Sequence, residues 1–165
     1  MKLYIMRHGI AMDPGAPGCP PDSQRPLTPE GEEKTSEVAR GLLALGIAPD
    51  VFLSSPLLRA VQTAKLVAAV MKFPEKNIRL TEALLPEAKP DSIFLELARL
   101  TDVSAICFGH GPHVDRAIAH ALGLRAPLTE MKKSGVACLK LESVRPPRGI
   151  LMWLCPPKIL RAVRD

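Results

Sequence analysis

Three short stretches of this 165-residue chain carry the side chains that could do chemistry. Arg7 and His8 follow the apolar run Leu3-Tyr4-Ile5-Met6, with Gly9 directly after them. Arg59 stands just beyond Ser54-Ser55-Pro56, and His110 lies within Gly109-His110-Gly111-Pro112. Two guanidiniums can hold a phosphoryl group through planar, charge-assisted hydrogen bonds. A neutral imidazole is a competent nucleophile near pH 7 and can form a covalent intermediate. A second imidazole can donate to an oxygen on which charge builds. Gly9 is expected to let the backbone come close to a bound substrate. Together these residues suit phosphoryl transfer, provided the fold gathers them.

The elements that would gather them can be read from periodicity. Apolar, strand-like runs fall at residues 3–6, 51–53, 78–80, 103–108, 136–141 and 150–154. Helical stretches separate them. The first helix is expected to start with Thr28 as cap, Pro29 in the first turn, and Glu30 and Glu32 complementing the positive end of the helix dipole. Val38, Leu42 and Leu45 supply its apolar face, and Gly46 closes it. A second helix opens at Ser55-Pro56, a third covers residues 92–100, and a fourth follows Pro112, with Val114, Ile118 and Leu122 at helical spacing. Strand and helix alternate until about residue 123, and two strands, read as antiparallel, close the chain. This order specifies an α/β fold of three layers: a mainly parallel sheet, helices on both faces, and an antiparallel C-terminal edge. Residues 1–165 are expected to form a single domain. The long Pro- and Gly-rich loop at residues 10–27 is of a length that is often functional.

In an open α/β sheet, ligands bind beyond the carboxyl ends of the strands. Arg7 and His8 end the first strand, Ser54-Ser55-Pro56 ends the second, and Gly109-His110 ends the strand at residues 103–108. Arg59 falls in the first turn of the helix after the second strand, where a cation opposes the helix dipole at a cost of roughly 0.3–1 kcal/mol. Breaking a local rule without visible compensation points to a site. Beside free N–H groups, Arg59 would help hold an anion.

Bulk properties narrow the function further. At 47% apolar residues the chain is globular, and its N-terminus lacks the pattern of a signal peptide. No stretch reaches the ~18 apolar residues of a membrane span, so a cytoplasmic, soluble protein without a membrane partner is expected. The net charge of +5 raises the question of nucleic acid. The Lys and Arg residues are scattered, however, and no basic stripe interleaves with aromatics. Anionic small groups fit the charge as well, and a nucleic-acid partner is not expected.

Four cysteines form no Cys-x-x-Cys pair; Cys107, Cys138 and Cys155 read as buried thiols, and Cys19 lies in the loop. Cys107, His110 and His113 form a Cys-x-x-His-x-x-His run, but Cys107 lies inside a strand and no fourth ligand presents itself, so no metal is expected. His113 and His120 read as polar or half-buried positions on one helix face. Lys132 and Lys133 read as solvated turn residues, with a substrate-facing rim as the alternative.

Arg7-His8-Gly9, "RPLT" at 25–28, "SSPLLRAVQTA" at 54–64 and "GHGPHV" at 109–114 occur in the order in which the histidine phosphatase (phosphoglycerate mutase-like) superfamily carries such segments, and the chain resembles that family. Its short length and its "RPLT" and "MWLCP" segments are similar to the small phosphohistidine phosphatase (SixA-type) branch. The resemblance implies the phosphoglycerate mutase-like fold, no cofactor, and His8 as the nucleophile that becomes phosphorylated. It implies a phosphate pocket of Arg7, Arg59 and His110, with Arg25 lining it. Larger members carry a catalytic Glu after the third strand. Here "TEALLPEAKPD" holds Glu82, Glu87 and Asp91 in no matching pattern, which leaves the general acid unassigned. The implied partner is a phosphorylated protein bearing phosphohistidine. The alternatives are a phosphomonoesterase or mutase acting on a small phosphate ester, and a phosphate-binding module without turnover.

Overall fold

The computed structural model describes residues 1–100 and 103–163. Six strands form one sheet: β1 (Lys2–Arg7), β2 (Val51–Ser54), β3 (Arg79–Leu80), β4 (Ser104–Gly109), β5 (Val136–Val144) and β6 (Pro147–Cys155). Their spatial order is β3-β2-β4-β1-β5-β6. The pairs from β3 to β1 are parallel, and β5 runs antiparallel to both β1 and β6. The helices are α1 (Pro29–Ala44), α2 (Leu58–Met71), α3 (Ser92–Leu97), α4 (His113–Ala121) and the short α5 (Pro157–Leu160).

The strands' two-residue period divides the core in two. From β1, Leu3 and Ile5 join Ala105 and Cys107 of β4 in a cluster with Ile93, Phe94 and Leu97 of α3 and Val114, Ala117 and Ile118 of α4. Tyr4 and Met6 face the other way, joining Ile106 and Phe108 with Val38 and Leu42 of α1, Val67 of α2 and Leu160 of α5. Helices therefore cover both faces of the sheet, as its near-continuous apolar strands require.

Local chemistry sets the helix ends. Thr28 caps α1, its hydroxyl accepting from the Gly31 N–H at 3.0 Å, and Gly46, at φ +71°, turns the chain after it. Three expectations are corrected. Helix α2 begins at Leu58 rather than Ser55-Pro56, because the Ser55 hydroxyl accepts from Leu57 N–H in a tight turn ahead of the helix. The third helix stops at Leu97, and an additional turn, α5, packs against α1.

Parallel register decides the site. Arg7 sits opposite Gly109 in the β1–β4 pairing, and Ser54 opposite Phe108 in the β2–β4 pairing. The carboxyl ends of β1, β2 and β4 thus lie side by side.

Candidate active site

The edge they form brings an imidazole within reach of the charges of two guanidiniums. His8, 6% exposed, places Nδ1 2.7 Å from the carbonyl of Gly9. A carbonyl only accepts, so Nδ1 carries the proton and the Nε2 lone pair is left for a reacting atom. The ring centroid of His110 is 5.0 Å from that of His8. Burial above all pushes the His8 pKa down to about 3, and the charges of Arg59, Arg7 and Lys133 add to the effect. Burial likewise brings His110 down to about 2, assisted by His8 and Arg59. Both rings are neutral at physiological pH, the form a nucleophile needs.

The polar groups around His8 are fixed by backbone. The His8 N–H donates to Gly109 O at 2.9 Å, while Ser134 N–H donates to the carbonyls of Arg7 and His8 at 3.0 and 3.1 Å. The Gly9 N–H donates to Thr63 Oγ1 at 2.9 Å, and that hydroxyl donates to Arg59 O at 2.6 Å. Gly9 is needed for packing: a Cβ there would stand 2.5 Å from Thr35 Oγ1. The bare Cα thus admits the close approach of α1.

Arg59, 4% exposed in the first turn of α2, donates from Nη1 to Asp22 O at 2.7 Å and from Nη2 to Asp22 Oδ2 at 3.2 Å. Arg7 donates from Nη1 to Met131 O at 2.7 Å, and its guanidinium lies against Gly111, 3.1 Å from where a Cβ would stand. His110 Nε2 is 2.8 Å from Ser55 Oγ. Ser55 Oγ accepts from Leu57 N–H and can give its own proton to His110 Nε2; in that tautomer Nδ1 is the ring's donor. Arg7 Nε, Arg59 Nε and His110 Nδ1 are all buried without a hydrogen-bond partner. A buried donor left unpaired costs about 1–3 kcal/mol. Three such groups near a neutral His8 can hydrogen-bond an oxyanion.

The sequence profile of the histidine phosphatase superfamily (branch 1) matches residues 3–85. The phosphohistidine phosphatase SixA of Escherichia coli (strain K12) is 34% identical over 168 residues, covering 99% of both chains. The chain belongs to the histidine phosphatase superfamily. An uncharacterized protein of Picosynechococcus sp. is 35% identical over 149 residues, 88% of each chain. A solved structure of the protein histidine phosphatase SixA complexed with tungstate superposes with a TM-score of 0.85 at 28% identity, over 97% of this chain and 99% of that one. A phosphoserine phosphatase of Entamoeba histolytica shares the fold, with a TM-score of 0.74 at 17% identity over 95% and 98% of the two chains. These relationships make the protein a phosphatase of the SixA-type branch.

Within this candidate site, the structure brings together Arg7, His8, Arg59 and His110, and links Arg25 to Arg59 through Asp22. Arg25 donates to Met12 O at 2.6 Å and places Nε and Nη2 2.9 and 2.8 Å from Asp22 Oδ1. Asp22, in a 3-10 turn of the 10–27 loop, thus bridges Arg25 and Arg59. Burial works against its charge, but its hydrogen bonds with Arg25 and Arg59 prevail and hold its carboxyl below the usual range. Sequence reasoning passed over Asp22; its position three residues before Arg25 was the available signal.

Other expectations are revised at this edge. His113 is fully buried rather than half-buried, packed by its helix start against the segment near Lys89 without reaching hydrogen-bond geometry. Burial pushes its pKa below the ordinary imidazole value. His120 is exposed and reaches Asp91 at 3.3 Å. Cys107 and Cys138 are buried free thiols, but Cys155 is only half-buried because β6 is an edge strand. Lys133 is exposed, as expected of a solvated turn residue, yet near enough for its charge to act on His8. Glu82, Glu87 and Asp91 are exposed, and none hydrogen-bonds to the four clustered residues. Among the described residues, no group of three or more His, Cys, Asp or Glu side chains is arranged to hold a metal ion, and no helix is long and apolar enough to cross a membrane.

Proposed function

We propose that residues 1–165 act as one domain that hydrolyses phosphohistidine on a protein, with His8 carrying the phosphoryl group between two half-reactions. The observation that carries this reading is the trio of buried, unpartnered nitrogens on Arg7, Arg59 and His110 next to a neutral His8. In the first half-reaction His8 Nε2 attacks phosphorus as the substrate's P–N bond breaks, and the departing imidazole takes a proton from solvent. In the second, water attacks the same phosphorus, the bond to Nε2 breaks, and inorganic phosphate leaves with His8 neutral again. Arg7, Arg59 and His110 offset the charge on the equatorial oxygens, so the chemistry asks for no metal or cofactor. Arg25 acts through Asp22, holding Arg59 in place.

Among the described residues, no carboxylic acid hydrogen-bonds to His8 or His110, and this favours phosphohistidine over an ester. Asp22 is the carboxylate bound within the cluster, and its two arginines keep it ionised. An alkoxide leaves poorly without a proton, and a positioned acid contributes roughly 10²–10⁴-fold. An imidazole, with a pKa of about 6.5, accepts a proton from solvent near neutrality. The kcat/KM for a phosphohistidine protein should therefore exceed that for an alkyl phosphomonoester by at least ~10². Rapid quench with labelled substrate should trap an acid-labile, base-stable phosphoenzyme that is lost in His8→Ala. Adduct formation by His8→Ala refutes the nucleophile. Equal rates on alkyl phosphate, abolished by Glu82→Gln or Glu87→Gln, would establish a small-molecule phosphomonoesterase instead.

A further inference from the structure

We propose that Asp115 is a positioning residue of the phosphate site, acting on Arg7 through the peptide unit of Met131. The inference rests on the reading above that Arg7 binds the phosphoryl group. Asp115 lies in the first turn of α4 and is 6% exposed. Its Oδ1 accepts from Thr129 Oγ1 at 2.7 Å and from Met131 N–H at 3.0 Å. The carbonyl of the same Met131 then accepts from Arg7 Nη1 at 2.7 Å. One carboxylate oxygen on a helix thus reaches the guanidinium in two steps.

The segment that supplies Met131 cannot hold this geometry by itself. Between Ala121, which ends α4, and Val136, which starts β5, there is no helix or strand. Leu128, within it, is 81% exposed, whereas Met131 is fully buried. Two bonds to one oxygen of Asp115 fix residues 129 and 131, and this turns the Met131 carbonyl toward Arg7. A buried carboxylate is expensive to leave unpaired, so its presence among apolar α4 residues calls for partners of this kind.

The use of an intermediary has an electrostatic reason. A carboxylate placed directly against Arg7, as Asp22 stands against Arg59, would offset part of its field. A carbonyl holds one nitrogen and leaves the net charge in place. Arg7 forms no salt bridge among the described residues, and its Nε remains buried and unpartnered. Asp115 therefore sets orientation while the site keeps its positive field.

The test is a double-mutant cycle on kcat/KM and on inhibition by inorganic phosphate. A misplacement of a catalytic group caused from a distance can cost up to about 10²-fold, so Asp115→Ala should lower kcat/KM by between ~10- and ~10²-fold and weaken phosphate inhibition in step. Asp115→Asn keeps Oδ1 as acceptor for both donors and should restore both quantities. Thr129→Val, a milder change for use should Asp115→Ala not fold, should lose a few-fold. In an Arg7→Ala background, Asp115→Ala and Thr129→Val should have no further effect on either quantity. Equal losses with and without Arg7 would overturn the proposal and leave Asp115 a purely structural anchor. If Arg7→Ala itself neither slows turnover nor weakens phosphate inhibition, it is the reading of Arg7 that fails.

Discussion

A methyl group added at Gly9 tests how closely the nucleophile is tied to the helix behind it. A Cβ built there lies 2.5 Å from Thr35 Oγ1, 3.2 Å from Leu27 Cδ2 and 3.3 Å from Ser134 Oγ. An ordinary contact begins at 3.4 Å, so the first of these asks for a displacement of about 0.9 Å. Thr35 is fully buried in α1, its hydroxyl 2.9 Å from that of Ser134, and Ser134 N–H holds the carbonyls of Arg7 and His8. If Thr35 yields, the Ser134 anchor is disturbed. If Gly9 yields, the carbonyl that orients His8 Nδ1 moves with it. Overpacking of this kind costs about 1–3 kcal/mol, and a lost hydrogen bond about 1 kcal/mol more. At ~2–4 °C per kcal/mol for a chain of this size, the Tm of Gly9→Ala should fall by roughly 4–16 °C. Shifting a nucleophile by just under 1 Å can cost about 10²-fold, which is the expected loss in kcat/KM. Thr35→Ala removes the obstructing oxygen, so Gly9→Ala with Thr35→Ala should recover most of that loss relative to Gly9→Ala alone. Thermal melts and kcat/KM across the four proteins decide it. Wild-type behaviour of Gly9→Ala, or strict additivity in the double variant, would refute the reasoning.

Two further outcomes follow from the same geometry. Arg59→Ala and His110→Ala should each lose about 10²–10³ in turnover while retaining the far-ultraviolet circular dichroism of the parent, and Arg25→Ala should lose less because its donors go to Asp22 and Met12; near-normal Arg59→Ala turnover would remove the anion-site argument. Because burial depresses His8 and His110 to about 3 and about 2, the unfolded chain alone takes up their protons below about pH 6.5. Stability contributed by these neutral rings is complete above that pH and declines as pH falls toward 3, by up to ~1.4 kcal/mol per pH unit for each ring. Urea melts at pH 7 and pH 5 should show this, with a shallower slope in His110→Gln; equal stabilities at the two pH values would contradict the depressed pKa values.

What the sequence determined by itself was whatever is written in short spacings. The unbroken apolar run Leu3-Tyr4-Ile5-Met6 specified a strand buried on both faces, and Thr28-Pro29 specified the start of α1. The rule that sites lie beyond strand ends then picked out Arg7, His8, Arg59 and His110, because parallel neighbours share one edge. Tertiary structure decided everything that depends on a distant partner. Met131 is 124 residues from the Arg7 it orients, and Ser55 is 55 residues from the ring of His110. Asp22 and Asp115 look, in sequence, like ordinary loop and helix carboxylates; what sets them apart is the donors that the fold carries to them. The role of Gly9 follows the same rule, since the atom that forbids a side chain there belongs to Thr35 on α1. His113 shows the limit from the other side: helical spacing marks which face a residue occupies, but the depth of its burial is set by the elements packed over that face.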